Sequence, residues 1–152
     1  MSLSYSLELS FAYICHSIFR IIQLILALTV CGLYGINLSN NDAWQSRWIF
    51  AEVTAGLSAI TALLYLIPYT LRIPYVFVWD ALLFLLWISV FGVFASMYMN
   101  IDPQGHRSLQ RMKDAVWIDL ANAVCWFISA TGLCITWLFR KRKSTFTGRA
   151  NV

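Results

Sequence analysis

Four long apolar runs constrain this chain more than anything else in it. They are "SIFRIIQLILALTVCGLYGI" at 17–36, "WIFAEVTAGLSAITALLYLIP" at 48–68, "PYVFVWDALLFLLWISVFGVFASMYM" at 74–99 and "VWIDLANAVCWFISATGLCITWLF" at 116–139. Each reaches the ~20 residues that an α-helix needs to cross a hydrocarbon core of ~30 Å. None alternates with the period of two that marks a barrel strand. The links at 37–47, 69–73 and 100–115 are short, and short links make consecutive helices antiparallel neighbours. The expected fold is therefore an all-α membrane protein, a four-transmembrane-helix antiparallel bundle over 17–139. A short N-terminal segment, 1–16, precedes it and a basic tail, 140–152, follows. "MSLSYSLELS" has no basic residue ahead of its apolar part, unlike a cleaved signal peptide. The tail reads as polar and unstructured.

Composition points the same way. Of 152 residues, 12% are charged, against about 25% in a soluble domain. Too few charges remain to cover a water-facing surface. The net charge of +4 gathers at the C-terminal end, so it makes no basic face for nucleic acid. Cys15, Cys31, Cys125 and Cys134 all lie in apolar segments, without CxxC or Cys/His spacing. His16 and His106 have no companions at ligand spacing. No phosphate loop, nucleophile elbow or zinc motif is present in the sequence. The expectation is a protein without metal, cofactor or catalytic residues.

Lys and Arg near the helix ends set the orientation. With four crossings both termini share a side, which holds Arg20, Arg72, Arg140, Lys141, Arg142, Lys143 and Arg149. The other side holds Arg47, Arg107, Arg111 and Lys113. The larger group makes both termini cytoplasmic, although "NIDPQGHRSLQRMKDA" is then basic and external.

The charges inside the spans then sort by leaflet. Arg20 lies about one turn above the cytoplasmic end of the first span. Asp80 lies six residues after Pro74, roughly 9 Å along the third helix. A lipid-facing Asp at mid-membrane costs roughly 2.5–3.5 kcal/mol on insertion scales, so Asp80 needs a partner. Arg20, with Gln23 one turn further on, is the leading candidate. The alternatives are a carboxylate that snorkels or bonds a nearby hydroxyl, and one that belongs to an ion or proton relay. Glu52 and Asp119 fall near the outer interface, within reach of Arg47, Arg111 and Lys113. Asn122 completes the set of intramembrane polar residues expected to serve structural pairing.

Small residues recur at spacing four: Ala27, Cys31 and Gly35; Ala51, Ala55 and Ala59; Gly92 and Ser96; Ala121, Cys125 and Ser129. Such stripes let helices approach closely in lipid, and their first expected use is packing within the chain. Cys15, just inside the cytoplasmic interface, is a candidate for palmitoylation. Asn37-Leu38-Ser39 fits the glycosylation pattern but sits close to the bilayer. Arg140, Lys141, Arg142 and Lys143 form a basic cluster expected to bind anionic inner-leaflet lipids.

"RIIQLILALTVCGLYG", "VWDALLFLLWISVF" and "RMKDAVWIDLANAVCWFISATG", in this order and spacing, resemble the first, third and fourth helices of the fungal MARVEL-domain (membrane-associating domain) proteins. The likeness spans about residues 17–140. One departure is a third loop without cysteines. The resemblance implies an integral four-helix protein with cytoplasmic termini. It also implies a role in membrane apposition, lipid-domain organisation or cargo sorting at the plasma membrane or an endomembrane. Claudins share the topology, but "NLSNNDAWQSR" is too short for their first extracellular segment. The leading function is thus a non-enzymatic organiser of membranes, with lipids, other membrane proteins or further copies of itself as partners. The rival is a small transporter or channel built on intramembrane carboxylates. Four-helix exchangers carry an acid in the first span, where this chain carries Arg20.

Overall fold

The computed structural model describes the backbone of residues 2–40, 46–67, 76–101 and 107–147. Four helices fill these stretches: α1 Ser2–Asn40, α2 Ser46–Tyr65, α3 Val76–Tyr98 and α4 Arg107–Thr147. All four are long and apolar enough to cross a membrane. α1 packs on α2 and α4, and α3 packs on α4 and α2. The arrangement is a four-helix bundle in which each helix packs on two others, α1 against α4 closing the ring.

Two helices outrun their apolar spans. α1 begins at Ser2 and α4 continues to Thr147, so helix runs through the short N-terminal segment and into the tail expected to be unstructured. The third link shrinks too, because α4 starts at Arg107. Hydropathy marks where a helix meets lipid, not where it ends. "RSLQRMKDA" and "FRKRK" are polar but rich in good helix formers, which extend a helix already nucleated by its apolar part. α2 stops earlier than its apolar run. Leu66 and Ile67 donate to the carbonyls of Leu63 and Leu64 at 3.2 and 3.1 Å, the tightened last turn of a helix end. Pro68 follows, and a proline disfavours helical backbone in the residue before it.

The bundle interior mixes apolar and polar side chains, and its outer surface is apolar. Buried positions on α1 are Arg20, Gln23, Ala27, Val30 and Tyr34. On α3 they are Asp80, Leu83, Trp87, Val90 and Phe94. Both sets alternate steps of three and four, the seam of a helix that faces partners along its length. Ile25, Ile60, Leu85 and Phe139 are each more than half exposed. Large apolar side chains turned outward on every helix suit a hydrocarbon surrounding, where they lose nothing by exposure.

The small-residue stripes divide. Ala27 on α1 and Ala51, Ala55 and Ala59 on α2 are buried at helix contacts. Gly92, Ser96 and Ala121 face outward, contrary to the packing role expected for them. Their helical phase explains the difference. Asp80, Leu83 and Trp87 already take the inward seam of α3, and Gly92 and Ser96 fall off it. α2 and α3 are tied by indole donors instead. Trp87 Nε1 donates to Ser58 Oγ at 2.7 Å, and Trp79 Nε1 to Thr61 Oγ1 at 3.0 Å.

Candidate functional site

Arg20 stands where all four helices meet. It is 1% exposed, and Asp80 is fully buried. Its Nη1 donates to Gln23 Oε1 at 2.7 Å. Its Nη2 donates to Ser129 Oγ at 2.7 Å and to Asp80 Oδ2 at 3.3 Å. Ser129 in turn donates its hydroxyl proton to Asp80 Oδ2. The guanidinium carbon lies 4.3 Å from the centroid of the Tyr65 ring and 5.5 Å from that of Trp126. α1 thus supplies the cation, α3 the anion, α4 the bridging hydroxyl and one ring, and α2 the other ring. Arg suits this position better than Lys could, since its flat fork serves three acceptors and stacks on aromatic faces at once.

A second cluster lies fourteen residues along α1, about 21 Å by helical rise. Tyr34 is buried and donates its hydroxyl to Asp119 Oδ2 at 2.5 Å. Its ring stacks on Phe94 at 4.5 Å and meets Trp48 edge-on at 5.4 Å. This cluster, too, draws on all four helices, with Tyr34, Trp48, Phe94 and Asp119. Between the two lie buried Ala27, Val30, Ala55, Leu83, Trp87 and Ala123, together with the uncharged polar side chains of Thr54, Ser58 and Asn122. Asn122, also buried, turns its amide back onto the Ile118 carbonyl at 3.1 Å.

The expected outer-interface pairings are corrected. Asp119 bonds Tyr34, and Glu52 takes a hydrogen bond from the Cys31 thiol and faces Gly35. Neither pairs with Arg47, Arg111 or Lys113 among the described residues; Arg47 reaches Met97 Sδ at 3.3 Å. Helical phase is the reason. Arg47 precedes Glu52 by five residues and Lys113 precedes Asp119 by six, spacings that point side chains to different faces. Cys15 is exposed, and Cys31 and Cys125 are partly buried. In the tail, Lys141 Nζ lies 5.2 Å from the centroid of the Trp137 ring, and Arg142 is exposed. The side chains of Arg140, Lys143 and Asn37 lie outside the described residues.

Sequence reasoning missed Ser129, Tyr65, Trp126 and Tyr34 as members of these clusters. Ser129 read only as a small residue. The aromatic residues were hidden among many others. One signal was present for Tyr34, which shares the seam of Arg20, Gln23, Ala27 and Val30. No family model, no curated protein and no solved structure matches the chain.

Proposed function

We propose that this chain is a non-enzymatic, multi-pass membrane protein that organises membrane domains or sorts membrane cargo through helix–helix and helix–lipid contacts. Its resemblance to the fungal MARVEL-domain proteins agrees with that reading. The observation that carries it is how the intramembrane polar groups are used. Arg20 and Asp80 close one four-helix cluster, Tyr34 and Asp119 close another, and among the described residues no charged side chain is buried between them. A relay of intramembrane carboxylates would need charged groups there, and the uncharged Thr54, Ser58 and Asn122 supply none. Polar side chains here hold helices to one another and leave an apolar coat for lipid. Partners in this reading are membrane lipids, with anionic inner-leaflet lipids at Arg140, Lys141, Arg142 and Lys143, and other membrane proteins or further copies of the chain.

The same reading makes the bundle antiparallel, with both termini in the cytosol. Its support is the order of contacts. Going from Arg20 to Tyr34 on α1, the partners on α4 run backwards from Ser129 to Asp119. Those on α3 run forwards from Asp80 to Phe94. Those on α2 run backwards from Tyr65 to Trp48. Reporters fused to either end are expected in the cytosol. A C-terminus that is glycosylated or cut by external protease overturns the topology.

The function is tested by flux and by neighbours. Purified protein in liposomes is expected to move no protons or cations under an imposed gradient. Saturable flux that Asp80→Asn or Asp119→Asn abolishes would replace the organising role with transport. Crosslinking in native membranes, read by mass spectrometry, is expected to recover lipids and membrane proteins as neighbours.

A further inference from the structure

An apolar groove of about 430 Å³ runs between α3 and α4 on the outside of the bundle. The small, half-buried Ala81 and Ala130 leave the hollow, and Phe77, Phe84, Phe127 and Cys134 wall it. Leu85, Phe127 and Ile135 line it and are each about half exposed, so the groove is open to lipid without any side chain moving. Two ring contacts across the helices set its length. Phe84 meets Phe127 at 5.2 Å, and Phe77 meets Trp137 at 5.6 Å. Phe77 and Phe84 are seven residues apart, about 10 Å by helical rise. Beyond the second pair the surface turns basic. Lys141 Nζ lies 5.2 Å from the centroid of the Trp137 ring, and both Lys141 and Arg142 are exposed.

Groove and cation belong to one stripe. Phe127, Ala130, Cys134, Trp137 and Lys141 follow one another at steps of three and four, which places them on one face of α4. The charge at its end has one sign, since no Asp or Glu follows Asp119 in the sequence. This pattern selects the occupant. Among the described lining residues Thr131 alone carries a hydroxyl, and it donates to the Phe127 carbonyl at 2.8 Å. A polar group would therefore lose by entering the hollow, and a hydrocarbon chain would not. A helix of a second copy is about 10–12 Å across and runs the length of a span, whereas this hollow stops at a ring pair on either side. A single acyl chain is narrow and bends past the outer edge of Phe77. At the basic end, an ammonium seated over a ring face still has N–H groups to give a phosphate oxygen.

We propose that the α3–α4 groove binds one acyl chain of an anionic phospholipid, whose headgroup sits at Lys141 and Arg142. The chain lies over Ala81 and Ala130 and ends at the Phe84–Phe127 pair. The attraction of the basic tail for anionic lipid thereby becomes a discrete site with one occupant. The proposal deepens the membrane-organising reading and rests on it for the inner-leaflet setting.

The test uses the full chain in phosphatidylcholine nanodiscs that carry a little phosphatidylserine with a photoactivatable group in one acyl chain. Crosslinks are expected on the groove faces of α3 and α4. Unlabelled phosphatidylserine should compete about fivefold better than added phosphatidylcholine, the factor for one cation near the membrane surface. Lys141→Gln should remove about that fivefold. Ala81→Phe fills the hollow, keeps every basic residue and should abolish labelling of the groove. Thr131→Phe fills it from an exposed position on α4, leaves α3 untouched, and carries the test should Ala81→Phe fail to fold. Labelling indifferent to the filling variants would show that the basic tail acts alone. Equal competition by the two lipids, or a preference that survives Lys141→Gln undiminished, would show that no headgroup is held. A disulfide between Cys134 of two copies under mild oxidation would put a second copy in the groove. Each of these results overturns the proposal. Nanodiscs offer the lipid on both faces, and the readout involves neither ion flux nor neighbours in native membranes, so the topology and the organising role stand or fall separately.

Discussion

Removing Arg20 alone should destabilise the protein more than removing Arg20 and Asp80 together. Arg20→Ala leaves a fully buried carboxylate with only the hydroxyls of Ser129 and Tyr65 as donors and no counter-charge. Asp80→Ala leaves a buried guanidinium with Gln23 and Ser129 but no counter-charge. Breaking a buried pair costs about 3–5 kcal/mol in soluble proteins, and burial this complete puts both single variants near that range. Water and snorkelling relieve a charge near an interface, but here both groups sit among four helices. The double variant Arg20→Met with Asp80→Leu strands no charge and should recover more than half of the loss. It does not recover all, because Gln23 loses a donor and Ser129 must turn to its own helix. Arg20→Lys should behave nearly as badly as Arg20→Ala, since a point charge cannot serve Gln23, Ser129 and Asp80 together. Thermal unfolding in lipid, analysed as a double-mutant cycle, provides the readout. Coupling below about 0.5 kcal/mol would mean that the pair does not hold the helices together.

The four spans were legible because lipid imposes a length and an apolarity that no soluble fold requires. The limits of the helices were not, since α1 and α4 extend through polar residues that hydropathy ignores. The neighbourhood of Arg20 and Asp80 was legible in part. A charge in an apolar run calls for a partner, and leaflet depth leaves few choices. The partners of Asp119 and Glu52 were not legible. Their depth near one end of the spans pointed to Arg47, Arg111 and Lys113, but depth says nothing of rotation about the helix axis. Rotation is set by packing, and packing turned Asp119 to Tyr34 and Glu52 to Cys31. Ser129 shows the same limit. Its hydroxyl bridges Arg20 and Asp80, whereas its size alone suggests close packing.

The Tyr34 cluster should respond to substitution in a fixed order, and independently of the Arg20 cluster. Asp119→Asn keeps an acceptor for the Tyr34 hydroxyl and should cost less than about 1 kcal/mol. Tyr34→Phe keeps the ring against Phe94 and Trp48 but removes the hydroxyl that donates to Asp119. A buried acceptor left without its donor costs about 1–3 kcal/mol. Tyr34→Ala also empties the space between Phe94 and Trp48 and should cost about 3–5 kcal/mol, the range for deleting a buried aromatic ring. Tyr34→Phe combined with Asp119→Leu should recover most of the hydroxyl loss, because neither side chain then needs a partner. Distance predicts the rest. The clusters are about 21 Å apart along α1 and share no partner, so Tyr34→Phe and Arg20→Ala should add to within about 0.5 kcal/mol. Thermal unfolding of the single and combined variants in the same lipid tests both statements. Tyr34→Phe as mild as Asp119→Asn would show that the bond to Asp119 contributes little. Strong coupling between Tyr34 and Arg20 would show that the side chains packed between them transmit strain, so that the two clusters act as one.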